Sequence, residues 1–284
     1  MNPIKLWPGQ PELTASITPF LLDGDTPRAA ILVIPGGGYG CVCETTEGSP
    51  IARRFNELGY HAFVLDYRVA PHRFPAPIQD AMRAVRTIRT HADEWRIIPD
   101  RIASCGFSAG GHLACALGVL QSHVNADAGD AIDRQDARVN AMVLCYAVLS
   151  LEPWSNVGTA VNLTGGDPDI LRLCSLEKQD LSGAPPALVW ATAADQLVDC
   201  RNSIVFAQAM FAAKRPCELH LFPFGTHGML LGLDTRDVGA WTQTTRNFLE
   251  TQWEMRDLDG APMERYTNAY QAQREQTPTP GSTF

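Results

Sequence analysis

The chain has 284 residues, 45% of them hydrophobic and 19% charged, with 31 acidic against 23 basic side chains and a net charge of −8. This balance suits a soluble protein built as one large α/β domain. No cluster of Lys and Arg stands out, which argues against nucleic acid and anionic membrane as partners.

No apolar run reaches the ~18 residues of a membrane span. The opening stretch, Met1 to Gln10, lacks the apolar segment of a secretion signal, so a cytoplasmic location is expected. The eight cysteines are scattered, and Cys105, Cys115 and Cys145 lie inside apolar runs, as reduced buried thiols do. Cys41 and Cys43 are too close together for a metal pair and have no second pair to join, so no metal is expected.

In chain order, Ile4 to Trp7 and Ala15 to Phe20 are short strand candidates at a sheet edge. Ala29 to Ile34 is a continuous apolar run ending at Pro35, as in a fully buried parallel strand. Ser49-Pro50 reads as an N-cap and first turn, and the helix it opens ends at Gly59. His61 to Asp66 is the next strand. From Pro77, apolar residues Ile78, Met82, Val85, Ile88, Ala92 and Trp95 recur at steps of three or four, which makes one helical face. Arg83, Arg86 and Arg89 fall mostly off that face and read as a solvated basic surface.

Ile102 to Phe107 is an apolar run that leads through Gly106-Phe107-Ser108-Ala109-Gly110 into a helix-forming stretch reaching about Ser122. Residues 125–137 are polar and acidic and read as a surface loop. Their spaced Asp residues lack the closing Glu of a calcium loop. Val139 to Val148 is a buried strand. Leu149 to Leu181 reads as an irregular insertion, of the sort that supplies a cap or rim. Strand Ala187 to Thr192, helix Asp199 to Lys214, strand Glu218 to Phe222 and helix Asp237 to Trp253 complete the pattern. Strands and helices alternating in this way predict a mostly parallel central sheet flanked by helices on both faces. Residues 1–253 form one domain on this reading, and 254–284 a polar C-terminal extension. In the extension, Met263, Tyr266 and Tyr270 are spaced as one stripe and the last ten or so residues are frayed. The extension is a candidate to dock on the domain or on a second subunit, which leaves a homo-oligomer open.

Gly-x-Ser-x-Gly between a strand and a helix holds its serine in a strained turn with the hydroxyl pushed outward, so Ser108 is the candidate nucleophile. A serine hydroxyl needs a base within reach, and the base needs an orienting group. His227, in Phe224-Gly225-Thr226-His227-Gly228 straight after the last strand, is the candidate base. His220 lies within a strand and His112 in the packing behind Ser108, so both read as structural. After strand Ala187 to Thr192, Asp195 is favoured as the acid over Asp199, which is placed to cap the following helix. Pro35-Gly36-Gly37-Gly38-Tyr39 follows a buried strand, and the amides of Gly37 and Gly38 with that of Ala109 are candidate donors to an oxyanion. The three glycines lack the Lys-Ser/Thr of a phosphate loop. Tyr39 and Trp154 are candidate walls of the substrate pocket.

These stretches, with Asp66-Tyr67-Arg68-Val69-Ala70-Pro71, Pro99-Asp100-Arg101-Ile102, Ser175 to Gln179 and Glu218 to Gly228, resemble the acetyl-xylan-esterase-like α/β-hydrolase esterases, cousins of the hormone-sensitive lipases. The resemblance covers roughly residues 28 to 250. It implies an α/β-hydrolase fold, with Ser108, Asp195 and His227 on the catalytic positions and Gly37, Gly38 and Ala109 on the oxyanion positions. The chain departs from the family pattern at Ala191, Ala194 and Asp199, and in the loop Cys41 to Glu47, which is expected to border the acyl pocket. The implied activity is a serine esterase releasing short acyl groups, acetyl above all, from sugar or oligosaccharide esters, with no cofactor. Rival readings are another hydrolase on the same scaffold, such as an arylformamidase or a serine peptidase, and a non-catalytic ligand-binding protein.

Overall fold

The computed structural model describes residues 2–10, 12–152, 154 and 156–259, with side chains as far as 253. Eight strands form one sheet: β1 (Ile4–Lys5), β2 (Ser16–Phe20), β3 (Arg28–Ile34), β4 (His61–Asp66), β5 (Ile97–Phe107), β6 (Ala141–Cys145), β7 (Ala187–Thr192) and β8 (Cys217–Phe222). Their order across the sheet is β1-β2-β4-β3-β5-β6-β7-β8. β1, β2 and β4 pair antiparallel, and every pair from β4 to β8 is parallel. All of β6 and β7, and β3 after Arg28, are buried, because helices cover both faces of the sheet and leave no side to water. The chain has the α/β-hydrolase fold.

The helices are α1 (Ser49–Glu57), α2 (Ala76–Thr90), α3 (Ala109–Val119), α4 (Val157–Thr164), α5 (Pro168–Leu173), α6 (Arg201–Ala212) and α7 (Trp241–Asp259). After β3 the chain turns to one side for β4, then crosses to the other for β5. Ile34 and Gly106 are therefore register partners, and the loops leaving β3 and β5 emerge side by side. Ligands of open parallel sheets bind at this kind of switch point. By its internal contacts the chain forms two units, residues 1–243 and residues 244–284. The expected stripe at Met263, Tyr266 and Tyr270 and the frayed end lie outside the described residues.

Four local expectations change. Ser49 is not an N-cap: a π-helical turn over Glu44–Gly48 runs directly into α1, Gly48 takes the cap position, and the Ser49 hydroxyl donates to Glu44. The strand expected over Val139 to Val148 is only Ala141–Cys145, because the backbone turns at Tyr146, φ 37°. The insertion is not irregular throughout. It holds α4, capped by the Asn156 side chain, and α5, capped by Asp167.

The arginines of α2 are not a solvated face. Arg83 is fully buried, donates to the carbonyl of Leu6 at 3.0 Å, and pairs with Asp133 at 2.8 Å and with Asp130. Arg86 pairs with Asp127 at 2.9 Å, and Arg89 reaches carbonyls of Pro99, Asp136 and Arg138. The acidic loop 125–137 folds over α2 and supplies the countercharge that burial of Arg83 demands. Helical periodicity cannot report partners that lie 40–50 residues further along the chain.

Candidate active site

The turn from β5 into α3 depends on two glycines. A Cβ at Gly106 would lie 2.1 Å from the Gly110 carbonyl oxygen, and one at Gly110 would lie 2.1 Å from that of Ile34. Both are distances no real Cβ tolerates, so the strand can pass this close to the helix only without side chains there. Between them Ser108 is held at φ 53°, ψ −119°, a strained conformation for a residue with a Cβ. Its amide donates to the carbonyl of Cys145 at 3.0 Å, and its own carbonyl accepts from Val148 at 3.2 Å, which ties the turn to the end of β6. The side chain is left partly exposed.

His227 arrives from the loop after β8. The Thr192 hydroxyl donates to the Gly225 carbonyl at 2.9 Å and so pins that loop to the end of β7. His227 Nε2 lies 2.9 Å from Ser108 Oγ, and Nδ1 lies 2.7 Å from Asp195 Oδ2. An ionised carboxylate only accepts, so Nδ1 carries the ring proton. Nε2 of the neutral ring then accepts from the serine hydroxyl. The Asp195 side chain is fully buried, and its Oδ1 accepts from the amides of Leu197 at 2.8 Å and Val198 at 2.9 Å. Burial alone would raise its pKa. The hydrogen bonds from His227, Val198 and Leu197 outweigh that, and hold the carboxyl below its usual range. Asp199 instead pairs with Arg201 and accepts from that residue's amide at the start of α6.

The glycine loop leaving β3 sits against the serine: a Cβ on Gly36 would come within 3.0 Å of Ser108 Cβ. The Gly37 carbonyl accepts from Gly40 at 3.0 Å, and the Gly38 carbonyl from Asn162 Nδ2 of α4 at 2.9 Å, so the insertion braces this loop. Ala109 opens α3, where an amide has no partner within the helix.

Tyr39 is not a pocket wall. It is fully buried, at φ 56°, with its hydroxyl 2.7 Å from His112 Nδ1 and its ring edge-on to Tyr67. The left-handed turn at the end of the glycine loop sends the ring down into the core. His112 lies where expected, behind the turn, and its Nε2 donates to the carbonyl of Cys174 at 2.8 Å. Trp154 is half-buried, with the Arg201 guanidinium 5.4 Å from its ring.

Two residues beside the site escape sequence reasoning. Glu47 is buried, although it sits in a polar stretch that reads as a pocket border. Its Oε2 accepts from the Gly36 amide at 2.7 Å and its Oε1 from the Tyr146 hydroxyl at 2.9 Å. Tyr146 in turn stands edge-on to His227, ring centroids 5.1 Å apart, on an aromatic bed of Phe107, Trp190 and Trp241. Tyr146 looks like one more residue within the apolar run Val139 to Val148, and no local signal marks either residue. Among the described residues no group of His, Cys, Asp and Glu is arranged to hold a metal ion, and no helix is long and apolar enough to cross a membrane.

The family model BD-FAE matches residues 22–210. The chain is 34% identical over 223 residues to endo-1,4-beta-xylanase B of Butyrivibrio fibrisolvens, covering 76% of this chain and 34% of that protein. It is 30% identical over 244 residues to the acetylxylan esterase of Xylanibacter ruminicola, covering 81% and 48%. The chain therefore spans a third to a half of these relatives. Among solved structures, the acetyl ester-xyloside bifunctional hydrolase from Caldicellulosiruptor lactoaceticus superposes with a TM-score of 0.83 at 36% identity, covering 88% of this chain and 96% of that one.

Proposed function

We propose that the chain, which belongs to the BD-FAE family and has the α/β-hydrolase fold, is a carboxylic ester hydrolase that removes short acyl groups, acetyl first, from sugar or oligosaccharide esters, with Ser108, His227 and Asp195 as the catalytic triad. The observation that carries this is the unbroken hydrogen-bonded line from Ser108 Oγ through the His227 ring to Asp195 Oδ2, at 2.9 and 2.7 Å. Ser108 attacks the ester carbonyl while His227 Nε2 takes its proton. Asp195 holds the ring in the required tautomer and stabilises the imidazolium. The tetrahedral oxyanion is received by the amides of Gly37, Gly38 and Ala109, each worth about 3 kcal/mol of barrier. The imidazolium then protonates the leaving alcohol. Water, deprotonated by the same ring, releases the acid from the acyl-enzyme.

The acetyl and sugar preference draws on the names of the two esterase relatives. The eight free thiols, four of them buried, support a reducing, cytoplasmic setting. The test is turnover of 4-nitrophenyl esters from acetyl to octanoyl, followed by acetylated xylo-oligosaccharides, with formyl amides and peptide amides alongside. The expected result is a rate highest on acetyl and falling with chain length. Ser108→Ala is expected to lower kcat by about 10⁴-fold or more without unfolding the protein. A flat or rising chain-length profile, or faster release from amides, would overturn the acetyl assignment. Full activity in Ser108→Ala would overturn the triad.

A further inference from the structure

Glu47 is a buried carboxylate that the triad chemistry does not use, yet it joins two parts of the site. One oxygen holds the amide of Gly36, the residue that opens the glycine loop and packs on Ser108 Cβ. The other holds the hydroxyl of Tyr146, whose ring stands against His227. Both partners donate, so the carboxylate is bound as an acceptor on both sides, which is the ionised form. Burial holds its pKa above the usual carboxylate value, and the Gly36 and Tyr146 hydrogen bonds and the nearby His227 offset only part of that rise. Tyr146 holds a left-handed backbone conformation, φ 37°, which aims its ring between Glu47 and His227. A buried charge and a strained aromatic residue are each costly to keep, and such strain clusters at functional sites.

Building on the assignment of Ser108, His227 and Asp195 above, we propose that Glu47 is a positioning residue: through Gly36 and Tyr146 it locks the oxyanion loop and the His227 ring into one frame, and its negative charge favours the imidazolium that forms when His227 takes the serine proton. Two carboxylates then serve the ring. Asp195 acts on Nδ1 through a direct hydrogen bond, and Glu47 acts from behind the Tyr146 ring without touching it. The groups facing Glu47 are Tyr146, Tyr67 and His227, with the thiols of Cys43 and Cys145 nearby. Those facing His227 are Ser108, Asp195 and Tyr146. Apart from the imidazolium itself, none of these is a cation that would cancel the charge.

The test uses the full chain, as parent, Glu47→Gln, Tyr146→Phe, the double variant, and Ser108→Ala as control. Glu47→Gln keeps the shape of the side chain, since its amide oxygen can accept from Gly36 and its amide N–H can donate to the Tyr146 oxygen. Its loss is therefore mainly of charge. On 4-nitrophenyl acetate, kcat is expected to fall roughly tenfold or more with KM nearly unchanged. The acid limb of kcat/KM is expected to move down by about one pH unit, because a nearby negative charge that favours the imidazolium is gone. The double variant is expected to lose no more than Glu47→Gln alone, since the two residues act as a unit. A folded Glu47→Gln with parental kcat and an unmoved acid limb would overturn the proposal, and so would strictly additive losses. A fall in kcat with the acid limb in place would reduce Glu47 to a structural brace and also overturn it. If Glu47→Gln fails to fold, Tyr146→Phe decides: reduced kcat at constant KM supports the link, and parental kcat sinks it. Activity in Ser108→Ala would instead remove the triad on which the proposal rests.

Discussion

At the scale of single residues, three of the six described non-glycine residues at positive φ, Tyr39, Ser108 and Tyr146, lie at or directly behind the candidate site; the others are Arg96, Lys214 and Leu230. His112 shows how a residue one turn beyond the serine is kept out of the chemistry. It is fully buried, its Nδ1 accepts from Tyr39 and its Nε2 donates to Cys174, so the neutral ring is satisfied and a charged one is not. Burial accordingly pushes its pKa down to about 4 from an ordinary 6.5. The unfolded chain binds this proton below pH 6.5, whereas the folded one resists until about pH 4. The stability due to a neutral His112 is thus fully present above pH 6.5 and is lost as pH falls through that window. Urea unfolding is expected to lose about 3 kcal/mol from this residue between pH 7 and pH 4. His112→Asn should show a shallower pH dependence over the same range, and an equal slope would refute the account.

At the scale of elements, α2 is anchored on its polar side as firmly as on its apolar one. Arg83 has no exposure, while Asp130 and Asp133 keep some contact with water. Removing both carboxylates leaves a buried guanidinium without its countercharge, against the Leu6 carbonyl and the Trp7 ring. The Asp130→Asn, Asp133→Asn double variant is therefore expected to unfold about 3 kcal/mol more easily in urea. Its kcat on 4-nitrophenyl acetate should be unaffected at low temperature, because loop 125–137 supplies none of the site residues. A stability change under about 0.5 kcal/mol would mean the pairs are worth no more than exposed ones.

At the scale of the whole molecule, the sheet order assembles the site. β3 and β5 are neighbours in space but are separated by β4 in the chain, so the glycine loop and the serine turn open on the same edge. β7 and β8 bring Asp195 and His227 from the far side. Every residue assigned to the site lies between Gly36 and His227, within the unit formed by residues 1–243. Deleting residues 260–284 is therefore expected to leave kcat/KM on 4-nitrophenyl acetate within about twofold of the parent. A large loss would place part of the working site in that segment.

The alternation of apolar runs with helical stripes, and the local signatures at Gly106 to Gly110 and Gly36 to Gly38, could be read from the chain alone. They depend on short-range physics: side-chain periodicity, and turns that only glycine can make. Asp195 and His227 could be picked out as candidates for the same reason, each lying in a loop directly after a strand. What needed the tertiary structure was anything decided by a partner far along the chain. The countercharge that buries Arg83 comes from a loop 47 and 50 residues on. Tyr39 turns inward because His112, 73 residues later, waits for its hydroxyl. Glu47 is held beside the candidate site by a hydrogen bond from Tyr146, 99 residues away. Burial of a polar group is settled by whichever distant donor or charge meets it, and pattern along a single chain carries no record of that meeting.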